Sequence, residues 1–162
     1  MKKDNIEKTN VMRLLDQKKA DYISHTYVST GAISGVEVAA ALGQDPAHVF
    51  KTLVTVGKTG QHYVFVIPVA EELDLKKAAK AAGEKSIEMI KSKELLPLTG
   101  YIHGGCSPIG MKKFFPTFVD KTAENCETIC FSAGKIGYQV EMSPETLAKM
   151  IRYTMADLTE EA

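Results

Sequence analysis

The residue of this sequence best suited to chemistry is Lys51, which lies between Phe50 and Leu53 at the entrance to a predicted strand. A lysine is seldom buried without a partner, so its ammonium group must reach solvent, a carboxylate or an anionic ligand. Two interpretations stay open. In the first, Lys51 is an edge-strand lysine that points outward. In the second, it is a cation placed at a pocket to hold phosphate or ribose groups.

A glycine-rich loop over residues 104–110, with the sequence Gly-Gly-Cys-Ser-Pro-Ile-Gly, is the second candidate. Consecutive glycines let a backbone approach a ligand closely, and the N–H groups of such a loop can bind an oxyanion or a carbonyl. The loop lacks the spacing of the P-loop and of the dinucleotide fingerprint, which excludes those two phosphate motifs. An ordinary connection between elements is the alternative interpretation.

The third candidate is the hairpin-like segment 132–139, which carries the hydroxyl of Ser132 and the carboxamide of Gln139. Polar side chains at strand ends can line a pocket, although turn chemistry explains them equally well. Tyr27, on the first predicted strand, is either a pocket residue or a half-buried aromatic side chain.

Four soft ligands, His103, Cys106, Cys126 and Cys130, match the number that zinc requires. Neither half of this set has a C-x-x-C knuckle, so we expect no metal site. Cys106 as a nucleophile would need a lowered pKa and a histidine nearby, and only its sequence distance from His103 favours that. No Ser-His-Asp order and no pair of carboxylates stands out, and we expect no cofactor.

Periodicity, cap residues and turn signals place the elements that must position these groups. Helices are predicted from about Asn10, over 36–42 and 75–82, from a Ser92 cap to before Pro97, and from Ser143-Pro144 to about Leu158. Asp74 is the expected cap of the helix over 75–82, and Gly43 and Gly83 are expected to end their helices. Strands are predicted over 22–28, 52–56, 62–69, 85–90, 116–120, 128–132 and 137–141, with a hairpin turn over 57–60. This order indicates an α+β fold with a mixed sheet, in one domain that spans residues 1–162.

Composition restricts the class of protein. Of 162 residues, 44% are hydrophobic and 25% are charged, which excludes a disordered chain, a collagen and a coiled coil. Lys plus Arg and Asp plus Glu both number 20, so any contact with nucleic acid must be local. The first ten residues are polar and do not resemble a signal peptide, and no apolar run approaches the ~18 residues of a membrane span. We therefore expect a cytoplasmic protein with reduced thiols.

Five short segments, taken together, resemble a known family. They are His-Thr-Tyr at 25–27, Val-Phe-Lys-Thr-Leu at 49–53, Leu-Asp-Leu-Lys-Lys at 73–77, the segment 100–110 and Ser-Ala-Gly-Lys at 132–135. The same segments occur in this order in the YbaK/EbsC proteins, stand-alone relatives of the editing domain of bacterial prolyl-tRNA synthetase. Each segment alone is weak evidence for the resemblance. The five together, in the same order, cover nearly the whole chain from His25 onward.

This resemblance implies a deacylase that acts in trans on mischarged Cys-tRNA(Pro). It further implies a largely antiparallel, curved, barrel-like sheet flanked by helices. The expected partners are the acceptor end of tRNA(Pro) and prolyl-tRNA synthetase, with no membrane and no DNA. Lys51 corresponds to the residue most associated with activity. The implied substrate-binding residues are Tyr27, Thr52, Gly104, Gly105, Cys106, Ser107, Pro108, Ser132 and Gln139.

In such proteins the thiol of the substrate cysteine is thought to attack its own ester, so positioning replaces a protein nucleophile. Two positions depart from the family pattern. Ser34 stands where members carry a pocket phenylalanine, and Gln139 stands where they carry an aspartate. The missing carboxylate removes a charge near the pocket, so recognition of the substrate amino group, and with it amino-acid specificity, can differ from the family pattern. The alternatives are an editor of Ala-tRNA(Pro) or another small aminoacyl ester, and a non-catalytic module that binds tRNA or a synthetase.

Overall fold

The computed structural model describes residues 8–161. The helices are α1 Asn10–Gln17, α2 Gly35–Leu42, α3 Leu75–Ala82, α4 Ser92–Thr99 and α5 Pro144–Met150. The strands are β1 Ile23–Thr26, β2 Phe50–Gly57, β3 His62–Pro68, β4 Ile87–Met89, β5 Thr117–Asp120, β6 Ile129–Ser132, β7 Tyr138–Met142 and β8 Thr154–Ala156. The expectation about a signal peptide concerns the first residues, of which 1–7 lie outside the described part.

Local capping explains where the helices begin and end. The side chain of Thr9 accepts a hydrogen bond from the Met12 backbone at the start of α1, and Asp74 does the same for the first turn of α3. Gly43 and Gly83 adopt the left-handed backbone that ends α2 and α3, a conformation that costs glycine little. These boundaries confirm the predicted starts and stops.

The strands form two sheets. A three-stranded antiparallel sheet has the order β1-β7-β6, and a five-stranded mixed sheet has the order β4-β2-β3-β5-β8. In the larger sheet, β5 runs parallel to both β3 and β8. This confirms the α+β class and the mixed pairing. The sheet is not closed, so the barrel-like shape is not found; instead, an isolated β-bridge between Val49 and Cys130 connects the two sheets.

The core lies on both faces of the larger sheet, because β3 is buried along nearly its whole length. Val64 and Val66 point into the main cluster, which contains α1, α5 and the inner face of the smaller sheet. Phe65 and Ile67 point the other way, against α3 and Leu158. Alternation with a period of two thus supplies apolar side chains to both layers.

The prediction of a terminal helix to Leu158 is wrong, because α5 ends at Met150 and the chain turns back to form β8. The Tyr153 hydroxyl donates a 2.8 Å hydrogen bond to the Pro144 carbonyl, which folds the chain against the start of the helix. β8 then pairs with β5, and the Leu158 side chain enters the core. Pairing an open strand edge outweighs extending an exposed helix.

The short helix predicted to end before Pro97 instead continues through it to Thr99. Proline lacks the N–H that would donate to the carbonyl four residues earlier, and a helix of this length tolerates one missing bond. Ser92, the expected cap, is the first helical residue, and Lys91 occupies the cap position. In the described range, no helix is long and apolar enough to cross a membrane.

Replacing Gly134 should destabilise the hairpin between β6 and β7. Its φ is +91°, and an added Cβ would lie 2.9 Å from Tyr101 Cε1 and 3.0 Å from Val11 Cγ2. We expect Gly134→Ala to lower the free energy of unfolding by about 2–4 kcal/mol, from backbone strain plus overpacking. Gly60→Ala is the matched control, since its φ is +93° and no atom lies within 4 Å. Equal losses in urea titrations of the two variants would contradict the clash.

Candidate active site

A cavity of about 450 Å³ opens where the two sheets meet the N-terminal turn of α2. Seven of the ten predicted site residues contribute to its wall. These are Tyr27, Lys51, Thr52, Gly104, Cys106, Ser132 and Gln139. The sequence segments are far apart along the chain, so only the packing of β2 against the smaller sheet brings them together.

Lys51 and Thr52 lie at the start of β2, where Lys51 pairs in register with Ile67 of β3. Lys51 lines the cavity and is half-buried. Among residues 8–161, no hydrogen bond or ion pair involves its ammonium group. Thr52 Oγ1 is buried and has no hydrogen-bond partner in the described range. An unpartnered cation and an unpartnered hydroxyl in one cavity wall are suited to a ligand that is anionic or rich in hydroxyl groups.

Three further polar side chains reach the cavity from one face of the smaller sheet. Tyr27 follows β1, while Ser132 and Gln139 lie opposite each other on β6 and β7. Ser132 Oγ accepts a 3.0 Å hydrogen bond from the Gly134 backbone, so its hydroxyl proton remains able to donate. These three side chains therefore offer neutral hydrogen-bonding groups to the cavity.

Gln139 is almost fully buried and is paired with Gln44, which follows α2. Gln44 Nε2 donates to Gln139 Oε1 at 2.7 Å, and Gln139 Nε2 donates back to Gln44 Oε1 at 3.1 Å. The reciprocal pair satisfies one donor and one acceptor of each carboxamide. The cavity is therefore lined here by a neutral carboxamide that Gln44 holds in place from outside the lining.

The glycine-rich loop reaches the cavity through Gly104 and Cys106. The Gly105 N–H donates to the Ile102 carbonyl at 2.9 Å, so this amide is not free to bind an oxyanion, contrary to expectation. No hydrogen bond from the Gly104 or Cys106 amide is found among the described residues. Gly104 and Cys106 are also the loop residues that line the cavity, so their amides are the candidate donors to a ligand.

Gly105, Ser107 and Pro108 do not line the cavity, although all three were expected there. A Cβ on Gly105 would lie 3.2 Å from the Ile136 backbone nitrogen, so this glycine permits the loop to pack on the β6–β7 hairpin. Ser107 Oγ accepts from the Ile109 backbone at 3.3 Å, and both Ser107 and Pro108 are buried. They are buried within the protein, on the side of the loop away from the cavity, where they hold the loop in position.

The N-terminal turn of α2 forms a wall of which the sequence analysis had noted only Ser34. Ser34 accepts a hydrogen bond from the Glu37 backbone, and Glu37 Oε1 accepts from the backbones of Ile33 at 3.2 Å and Ser34 at 3.1 Å. The Ser34 backbone N–H, followed by that of Ile33, lowers the pKa of the Glu37 carboxyl. A capping box, Ser-x-x-Glu, was the sequence signal that could have located this turn.

Other cavity residues are apolar or aromatic side chains of β2, β6, β7 and α4 that carried no chemical signal in the sequence: Phe50, Leu53, Leu95, Phe131 and Tyr138. His103, considered above as a metal ligand, is exposed and also lines the cavity. Apolar walls with a few convergent polar groups are typical of a small-molecule site. The cavity is therefore shaped for a small organic group carrying polar and anionic parts.

The model of the aminoacyl-tRNA editing domain matches residues 30–150 of this chain. That range contains α2, β2 to β7 and all the cavity elements except Tyr27. The chain belongs to the aminoacyl-tRNA editing domain family. The resemblance found in the five sequence segments is thereby confirmed.

Individual relatives agree with this assignment. The chain is 46% identical over 159 residues to EbsC of Enterococcus faecalis, and the match covers 98% of this chain and 97% of EbsC. The activity assigned to EbsC is Cys-tRNA(Pro)/Cys-tRNA(Cys) deacylase. A solved structure described as a trans-editing enzyme for prolyl tRNA synthetase superposes with a TM-score of 0.80 at 24% identity, covering 94% of this chain and 99% of that one. A hypothetical protein superposes with a TM-score of 0.84 at 23% identity, covering 93% and 99%. The two structures show the shared fold.

The thiols of this editing domain do not form the zinc set considered from the sequence. In the described range, His103, Cys106, Cys126 and Cys130 do not converge on one point. Burial raises the pKa of Cys106 to about 12, the opposite of what a thiolate nucleophile requires. Cys106 is therefore a protonated, apolar part of the cavity wall.

Removing the Cys106 thiol should leave the chemistry intact. We expect Cys106→Ala to deacylate Cys-tRNA(Pro) within about threefold of the unmodified protein, because a thiol with a pKa of about 12 is not a nucleophile at neutral pH. Its stability should fall by ~1–3 kcal/mol, since a buried side chain is shortened. Complete loss of turnover in a folded variant would restore Cys106 as a candidate nucleophile.

Proposed function

We propose that this chain acts as a single editing domain and as a trans-acting deacylase that hydrolyses the ester of mischarged Cys-tRNA(Pro). Family membership and the assigned activity of EbsC support the reaction class. The observation that carries the proposal is the Lys51 ammonium, which lines the cavity without an anionic partner among residues 8–161.

Lys51 holds a phosphate or the ribose of the terminal adenosine, because its compact ammonium provides charge-assisted hydrogen bonds. The Gly104 and Cys106 amides face the ester, and they stabilise the oxyanion that develops as its carbonyl is attacked. Thr52 Oγ1 and the Ser132 hydroxyl supply further hydrogen bonds to the substrate.

The nucleophile in this proposal is the thiol of the substrate cysteine. Its sulfur bonds to the carbonyl carbon, the bond to the ribose oxygen breaks, and the thiol proton passes to that oxygen. A cyclic thiolactone leaves, which water then opens to cysteine. Holding two groups of one molecule together gives a high effective molarity, so the protein needs only to position them. Cys106, with its raised pKa, does not compete for this role.

Glu37 binds the α-ammonium group of the aminoacyl ester. It is the one carboxylate among the described residues that line the cavity, since Gln139 is neutral and paired with Gln44. Both backbone donors bind its Oε1, so neither occupies Oε2. A held carboxylate of lowered pKa is ionised at neutral pH and can accept from an ammonium group.

Replacing Glu37 by Gln should weaken recognition of the free amino group while keeping the capping box, which Gln also forms. We expect Glu37→Gln to lower kcat/KM for Cys-tRNA(Pro) roughly three- to tenfold, since the group is exposed and screened. N-acetyl-Cys-tRNA(Pro), which lacks the charge, should react with both proteins at rates within about twofold. An equal loss on both substrates would assign Glu37 to the helix cap alone.

A deacylation panel tests the reaction itself. The protein is mixed with Cys-, Ala-, Ser- and Pro-tRNA(Pro), and ester loss is compared with buffer and with Lys51→Ala. Selective loss of the cysteinyl ester supports the proposal. Cleavage of the alanyl ester alone would indicate an alanine editor, and no cleavage would indicate a binding module. A Cys-tRNA(Cys) arm tests whether the tRNA body matters.

The remaining partners follow from charge and size. A net formal charge of zero suits a protein that holds only the acceptor end of a tRNA, and it does not favour duplex DNA as a ligand. Docking on prolyl-tRNA synthetase would capture the substrate before release, and the cytoplasm is where such a charged tRNA is found. Docking on prolyl-tRNA synthetase and a cytoplasmic location are both part of the proposal, and no membrane partner is proposed.

A further inference from the structure

A second group of ligating side chains lies on the smaller sheet, outside the deacylation site. His25, Cys130 and Glu141, here named the strand cluster, place a ring nitrogen, a sulfur and a carboxylate oxygen within 4.8 Å of one another. His25 Nε2 is 2.7 Å from Glu141 Oε1. The deacylation proposal uses none of the three.

The register of the three strands explains why these side chains meet. Cys130 of β6 is directly opposite Glu141 of β7. His25 of β1 is opposite Gln139, which places it diagonally across from Glu141. Alternate residues of a strand share one face, and direct and diagonal neighbours on that face are within side-chain reach. The backbone of a rigid antiparallel sheet therefore fixes all three positions.

We propose that the strand cluster binds one divalent cation of the zinc class, through His25 Nε2, Cys130 Sγ and a Glu141 carboxylate oxygen. Imidazole and thiolate ligands select zinc over magnesium or calcium, which prefer oxygen ligands. Three protein ligands leave a fourth tetrahedral position for water. Binding replaces the His25–Glu141 hydrogen bond, and the two atoms must move from 2.7 Å to about 3.3 Å apart around the ion.

The surroundings of the strand cluster match those of a metal site. Thr128 Oγ1 donates a 2.5 Å hydrogen bond to Glu141 Oε2, which leaves Oε1 pointing toward His25 and orients the carboxylate. Cys130 is 4% exposed, whereas the His25 and Glu141 side chains are 27% and 24% exposed. An ion thus has a path from solvent, while the sulfur lies in a shielded position against Ala39, Val49 and Val69.

The consequence of occupancy concerns the pocket next to it. Tyr27 and Ser132 lie two residues beyond His25 and Cys130 along the chain, and Gln139 lies two residues before Glu141 and directly opposite His25. A bound ion would tie together the strands that carry these cavity residues. Because a ligand bound only by the folded state stabilises that state, the ion should raise the melting temperature.

Cobalt is the probe for the test, because a thiolate ligand gives Co²⁺ an absorption band that nitrogen and oxygen ligands do not. The reduced, untagged full chain is titrated with Co²⁺ and then with Zn²⁺, followed by absorbance and thermal melts. We expect one equivalent of Co²⁺ with the thiolate band, displacement by Zn²⁺, and a rise in Tm. Thr128→Val should weaken binding roughly tenfold or more, since it removes the group that orients Glu141.

Variants distinguish the strand cluster from other thiols and surface histidines. Cys130→Ser should abolish the thiolate band, while Cys126→Ser, a change at another buried cysteine, should retain it. If Cys130→Ser does not fold, His25→Gln changes a more exposed ligand and should lower Co²⁺ affinity at least tenfold. No thiolate band in the unmodified protein would overturn the proposal, as would a band that survives both Cys130→Ser and His25→Gln. Neither result depends on tRNA deacylation.

Discussion

Lys51→Ala should reduce kcat/KM for Cys-tRNA(Pro) by about ten- to more than a hundredfold. The substitution removes a charge-assisted hydrogen bond worth roughly 1.5–3 kcal/mol to a substrate phosphate or ribose. Fold stability should change little, because no described residue forms a hydrogen bond or ion pair with this ammonium in the free protein. Deacylation kinetics and thermal melts of the same preparations measure the two effects separately.

Two further variants sharpen the Lys51 experiment. Lys51→Arg should not restore full activity, because a planar guanidinium has a different shape from a compact ammonium. Lys58→Ala, on the exposed turn at the other end of β2, removes the same charge away from the cavity and should leave deacylation unchanged. A folded Lys51→Ala protein with near-normal turnover would reduce Lys51 to a strand lysine of no special role.

Replacing the esterified cysteine by serine on the same tRNA should slow deacylation by roughly a hundredfold or more. A thiol is a few per cent thiolate near neutral pH, whereas a hydroxyl is hardly ionised there and is a much poorer nucleophile. The cavity should still admit serine, since the two side chains differ by one atom. Single-turnover rates on Cys-tRNA(Pro) and Ser-tRNA(Pro) separate the chemical step from binding.

Ala-tRNA(Pro) is the control for this comparison, because its side chain carries no nucleophile at all. If the substrate thiol performs the attack, the alanyl ester should be the slowest of the three. Similar rates for the cysteinyl and seryl esters would mean that the protein activates water instead. Ser132 and Tyr27, two of the hydroxyl-bearing side chains that line the cavity, would then be the first candidates for that role.

The local elements were predictable because their signals act over a few residues. Asp74 and Gly83 delimit α3, and the turn 57–60 joins β2 to β3, as the sequence predicted. The family and the α+β class also follow from short segments. Helix capping, glycine conformation and strand alternation depend on neighbouring residues alone, so they can be predicted from the sequence.

The failures occurred where a distant partner decides the outcome. Residues 154–156 have no strong local preference for a strand, and they form β8 because β5 offers an unpaired edge. The Gly105 amide lies in the loop that the sequence suggested as an oxyanion site, but in the fold its N–H donates to the Ile102 carbonyl. Whether these residues form a strand, and which acceptor an amide N–H binds, depends on which backbone groups lie nearby in the fold. The order of residue types along the chain does not show this.

The sequence by itself determined the family, the boundaries of α2 and α3, and the choice of Lys51 as the cation to test. Only the tertiary structure decided that the Gln139 carboxamide is hydrogen-bonded to Gln44, and that Glu37 is the carboxylate at the cavity among the described residues. It also decided that His25 meets Glu141, a residue 116 positions away. Such pairs arise from strand register and sheet packing, and no local propensity encodes the position of a partner so far along the chain.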